Sequence, residues 1–83
     1  MQIAHRQGRT LDTLNLGERG VVSSVESTNS LLRNKLLMMG IVGDTLVEVT
    51  NVAPFGDPIT VSVRGFRLSL RRSEAKSIIL SAD

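Results

Sequence analysis

At 83 residues, with 41% hydrophobic and 22% charged side chains, the chain is long enough for one modest core and too short for a second domain. The absence of cysteine excludes disulfides, thiolate nucleophiles and thiolate metal sites. Ten basic against eight acidic residues leave a net charge of +2, a mild bias that falls short of a nucleic-acid footprint.

Residues 1–10 are polar and read as a flexible tail; they hold the one histidine, His5, and lack the apolar run of a signal peptide. Nothing later is long and apolar enough to cross a bilayer, so the expectation is a soluble protein of a reducing cytosol. The folded domain is then residues 11–83. Leu11, Leu14 and Leu16 lead into a turn signal at Gly17-Glu18-Arg19-Gly20, and Val21 to Glu26 follows as a first strand.

The next segment is a helix. Ser27, Thr28, Asn29 and Ser30 offer capping oxygens before Leu31, and Leu32, Leu36 and Met39 recur at helical spacing as its buried side. Gly40 suits a left-handed C-cap, with Ile41 folding back onto Leu36 as in a Schellman motif. Leu37 and Met38 cannot share the centre of the buried face, because helical side chains advance by about 100° per residue. They are the candidates for exposed partner surface.

After a turn at Gly43-Asp44, Thr45 to Val52 alternates as a strand, with Val47 and Val49 on one face and Glu48 and Thr50 on the other. Pro54-Phe55-Gly56-Asp57-Pro58 is a loop, since its prolines remove backbone donors and fix turn conformations. Ile59, Val61 and Val63 form the inward side of one strand, and Phe66, Leu68 and Leu70 that of the next. Arg64-Gly65 joins them as a two-residue hairpin of the primed kind, which needs the positive φ that glycine tolerates. Ser73 to Lys76 allows one helical turn, and Ser77 to Leu80 closes the chain as a last strand. Five short strands and one helix, the helix lying between the first two strands, predict a mainly β small barrel whose closure disposes of edge strands.

The ordered set Leu36-Leu37-Met38-Met39-Gly40-Ile41, Ala53-Pro54-Phe55-Gly56-Asp57-Pro58, Gly65, and Leu68-Ser69-Leu70-Arg71-Arg72-Ser73-Glu74-Ala75 resembles the ferrous iron transport protein A family, FeoA. The resemblance runs from Leu11 to Leu80, and its motif positions are Gly40, Pro54, Gly56, Asp57, Pro58 and Gly65. It departs from the family's pattern at Gly43-Asp44, where Pro-Gly is usual, and at Met38, where a polar residue is usual. It implies an SH3-like barrel and a cytosolic accessory of FeoB, a membrane ferrous iron transporter with its own GTP-binding domain. In that picture the chain is recruited to the inner face of the membrane through its partner, and it is neither an enzyme nor in need of a cofactor.

The residues themselves supply little catalytic chemistry. His5 has no second histidine or cysteine to complete a metal site, and Asp57 and Glu74 lack the several convergent oxygens that a hard ion needs. Asp12, Glu18, Glu26, Asp44 and Glu48 are scattered, no serine sits in a Gly-x-Ser-x-Gly elbow, and Gly17 to Gly20 lacks the spacing and lysine of a phosphate loop. No catalytic, cofactor or metal residue is expected.

Arg64, Arg67, Arg71 and Arg72 make a local basic stripe. Its plain reading is a solvated strand face; its functional reading is a docking stripe for an acidic surface. Two other functions compete with a protein-docking module. One is a small-barrel nucleic-acid module, opposed by the scarcity of aromatic rings for stacking and by an inward Phe66. The other is the detached barrel of a metal-dependent repressor, for which no helix-turn-helix fits before Leu31.

Overall fold

The β-branched alternation of the central segment lays down an antiparallel sheet in the computed structural model, which describes residues 9–81. A short 3₁₀ turn at Leu11–Thr13 precedes strand β1 (Arg19–Val25), helix α1 (Ser30–Met38) and strand β2 (Leu46–Val52). Strands β3 (Ile59–Val63) and β4 (Phe66–Leu70), the single helical turn α2 (Arg72–Ala75) and strand β5 (Ile78–Leu80) complete the chain. His5 and residues 1–8 of the expected tail lie outside the described residues. Arg9 and Thr10 are paired: the Arg9 carbonyl accepts from the Leu80 amide at 2.7 Å, and Thr10 bridges to Ile79.

The strand order is β4-β3-β2-β1-β5. β1 divides its length between two partners, Arg19 to Val21 lying against β2 and Val22 to Val25 against β5. Register shifts between Val22 and Ser24, and between Val49 and Asn51 on β2, supply the bends that let five strands wrap one core. The result is the mainly β, SH3-like architecture expected, with α1 between the first two strands. Val47, Val49, Ile59, Val61, Leu70 and Ile78 are fully buried inside it. Among the described residues, however, β4 and β5 are not paired to each other, so hydrogen bonding does not close the barrel. The connection across the gap is α2, which packs on the 3₁₀ turn, and β4 keeps an open edge.

Local signals set the connections. The Asn29 carboxamide caps α1 by accepting from the Leu31 and Leu32 amides at 3.0 and 3.2 Å. At the other end Gly40 has φ 90°, its amide reaches the Leu37 carbonyl and the Ile41 amide the Leu36 carbonyl, each at 3.0 Å, which is the Schellman pattern. Asp44 takes the left-handed conformation (φ 69°), and the Thr45 amide closes the turn onto the Val42 carbonyl at 3.2 Å. Aspartate is among the few non-glycine residues that tolerate this region, so the departure from Pro-Gly leaves a tight turn in place. Arg64 and Gly65 have φ 52° and 86°, the two positive angles of a type I′ hairpin. In the 53–58 loop the Gly56 amide bonds the Ala53 carbonyl and the Ala53 amide the Pro58 carbonyl, at 2.7 and 3.1 Å.

One inward assignment fails. Leu70 is buried and Leu68 packs against the core, but Phe66 is 71% exposed. Phe66 pairs with Val63 beside the hairpin, at the start of the edge strand β4, where among the described residues no further strand lies alongside. Alternation gives the face of a strand, and how far the core extends along that face is a tertiary matter.

Candidate docking surface

α1 gives the core a narrow stripe, because Leu36 alone is fully buried on it while Leu32 and Met39 pack beside it. The expected core face is therefore observed. The opposite flank carries Leu31 and Met38, one heptad apart and 81% and 88% exposed, with Leu37 at 42%. Met38 is thus an added apolar side chain in solvent and no widening of the buried stripe.

Three of the four arginines in the stripe are exposed. Arg64 sits in the hairpin turn, Arg67 on β4, and Arg71 immediately after that strand. Cross-strand register puts Arg19, Glu48, Ser62 and Arg67 in one row across β1, β2, β3 and β4 on the outer face of the sheet. Neither Arg64 nor Arg67 forms an ion pair among the described residues.

Arg72 does not belong to the stripe. Its guanidinium is half-buried and donates to the Gly56 carbonyl and, at 2.5 Å, to the Asp12 carbonyl, while its amide donates to the Asp57 carboxylate at 3.0 Å. One side chain so joins the 3₁₀ turn, the proline loop and α2. Asp57 is a turn and cap residue, as its setting in the loop implied. Glu74 is likewise structural: it accepts from the Arg71 amide at 2.9 Å and pairs with Lys35 of α1 at 3.0 Å. The Arg71 amide first, and then the Lys35 ammonium, hold its carboxyl below the usual glutamate range against a smaller opposing effect of burial.

Two patches result. Arg64, Arg67 and Arg71 follow the β3–β4 hairpin, and Leu37 and Met38 lie on α1; Glu74, bonded to the Arg71 amide and paired with Lys35, connects the end of the stripe to the helix. Sequence reasoning missed Phe55 and Phe66 as surface: Phe55 is 99% exposed at the tip of the proline loop, so both aromatic rings of the chain face solvent. Scarcity of aromatics was readable in the sequence; their exposure was not.

An open groove of about 360 Å³ lies between the hairpin and the start of β2, with Asp44, Glu48, Ser62 and Arg64 among its walls. It brings together one guanidinium and two carboxylates but no histidine or nucleophile–base pair. Among the described residues no three histidine, cysteine, aspartate or glutamate side chains cluster as metal ligands, and no helix is long and apolar enough to cross a membrane. What the surface offers is apolar and cationic contact area.

The FeoA domain model matches residues 9–82. The chain is similar to the Fe(2+) transport protein A/Fe(2+) transporter FeoB fusion protein of Porphyromonas gingivalis, 32% identical over 68 residues that make up 82% of this chain. The match spans only 8% of that much longer protein. Among solved structures it resembles the FeoA-like protein of Clostridium acetobutylicum, with 36% identity, a TM-score of 0.83, and coverage of 94% of this chain and 90% of that one. It also resembles Stenotrophomonas maltophilia FeoA complexed with zinc, a prokaryotic SH3 domain protein, at 32% identity and a TM-score of 0.80, covering 89% and 91% of the two chains. Fold likeness extends to a manganese-dependent transcriptional repressor, with a TM-score of 0.85 at 20% identity over 99% of this chain and 40% of that one.

Proposed function

The chain belongs to the FeoA domain family, and from that premise we propose that it is a cytosolic accessory of ferrous iron uptake that acts by docking on a FeoB-type membrane transporter. The observation that carries this reading is the fusion protein, in which a domain similar to this one shares a chain with FeoB. Covalent linkage keeps two modules at high effective concentration, which is useful where they act together. The exposed Leu37 and Met38 on α1, with Arg64, Arg67 and Arg71 along the hairpin, form the docking surface. The apolar flank contributes desolvated contact and the arginines mainly association rate and specificity. In this reading the chain acts by contact, and any GTP chemistry belongs to the transporter.

The test is retention of the cytosolic portion of a cognate transporter by the purified chain. Leu37→Asp and Met38→Asp are expected to leave the circular dichroism spectrum and melting curve nearly unchanged while weakening the complex about tenfold or more, the scale of a lost interface anchor. Unfolding of either variant would place those side chains in the core and move the docking surface elsewhere.

A second reading has one specific observation behind it. Phe66 is exposed, which leaves its ring free to stack a single-stranded base and removes the argument built on an inward Phe66. Salt-sensitive binding of single-stranded RNA without retention of the transporter would favour it.

A further inference from the structure

We propose that the free edge of β4 is a strand-addition site, taking up an extended acidic segment of a partner protein as a sixth strand. The inference rests on the reading of this chain as a docking module and adds the mode of docking and the chemistry of the segment bound.

Among the described residues β4 ends the sheet and pairs only with β3. A two-residue I′ hairpin closes on a hydrogen-bonded pair, here Val63 and Phe66. Pairs alternate along an antiparallel ladder, so Val61 with Leu68 and Ile59 with Leu70 are bonded as well. Arg67 and Ser69 therefore turn their amides and carbonyls away from the sheet, and among the described residues neither takes a backbone partner from another element. The edge is regular. The β3–β4 register runs through five pairs with no shift, unlike β1–β5 and β2–β3, and no proline interrupts β4.

Natural edges of this kind are blunted by charge, bulges or cover. Here the one blunting device is Arg67, and its sign makes it selective. A second copy paired through β4 would crowd the arginines of both edges, whereas a carboxylate opposite Arg67 gains a cross-strand ion pair. Arg64 in the turn adds to the same field, and neither arginine has an ion-pair partner among the described residues. The opposite face of the strand presents the exposed Phe66 and half-buried Leu68, which apolar side chains of an added strand would cover. The segment that fits alternates acidic and apolar residues.

Amide hydrogen exchange of the intact chain by NMR tests this with two eight-residue peptides, one alternating glutamate with valine and one alternating lysine with valine. At millimolar glutamate peptide, exchange of the Arg67 and Ser69 amides is expected to slow about tenfold, with no slowing by the lysine peptide. Ser69→Pro removes an outward amide and is expected to abolish the protection at Arg67. Should that variant fail to fold, Arg67→Glu is expected to exchange the preference between the two peptides.

Absence of slowing, equal slowing by both peptides, or peptide binding that Ser69→Pro leaves unchanged would each overturn the proposal. So would concentration-dependent protection of the same amides in the free chain, which would make a second copy the occupant. Transporter retention without edge protection would sink this inference and leave the docking reading standing. Edge protection by the glutamate peptide without transporter retention would do the reverse.

Discussion

Arg72 is where a single side chain matters most to this fold outside the apolar core. Its contacts with the carbonyls of Asp12 and Gly56 reach back 60 and 16 residues, so one guanidinium ties together the start of the domain, the proline loop and the turn into β5. Hydrogen bonds to a charged donor are worth more than neutral ones, and removing the donor leaves two carbonyls in a partly buried setting without their partner. Arg72→Met keeps much of the stem packing and deletes the donors; it is expected to cost about 2 kcal/mol, read as a lower urea midpoint at unchanged slope. Arg71→Met, one position earlier and exposed, is the contrasting control, with a change within about 0.5 kcal/mol. In the sequence the two arginines look alike, because nothing local says which one turns inward to carbonyls 16 and 60 residues away.

At the scale of elements, what was readable in the sequence is what local chemistry decides. A cap among Ser27 to Ser30, formed by Asn29, the Gly40 terminus of α1, the 54–58 loop and the Arg64-Gly65 hairpin each follow from a few adjacent residues, and each is present. The exposed flank of α1 was also within reach, since 100° per residue forces Leu37 and Met38 off the face that buries Leu36. The order of strands was not. Whether β4 is closed over or left open depends on long-range pairing, and with it go the exposure of Phe66 and the meaning of the basic stripe. The hairpin also holds a local conflict, because arginine occupies a left-handed position that asparagine fills with less strain. Local rules are most often broken where function requires it. Arg64→Asn should therefore raise thermal stability by a few tenths to about 1 kcal/mol while weakening transporter retention, two readouts that move in opposite directions. A stabilised variant with full retention would assign Arg64 no part in docking.

For the whole molecule, size governs how these effects combine. A domain of this length buries a smaller share of its surface than a larger one and sits correspondingly close to its unfolding limit. Its core is one continuous cluster, in which α1 is anchored chiefly by Leu36 while the helix cap, the Schellman turn and the Lys35–Glu74 pair hold its ends. The helix is thus a lightly moored element over a tightly packed sheet, with Leu31, Leu37 and Met38 on its exposed side. The same arrangement makes adjacent leucines behave differently. Leu36→Ala leaves a cavity under the helix and is expected to cost about 3 kcal/mol, within the usual range for a buried leucine. In a domain of this size that lowers the melting temperature by roughly 12–24 °C. Leu37→Ala should change it by only a few degrees, because that side chain is 42% exposed and lies outside the core cluster. Differential scanning calorimetry of the two variants separates core from contact surface along one turn of helix, and equal melting temperatures would show that α1 does not seat on the sheet through Leu36.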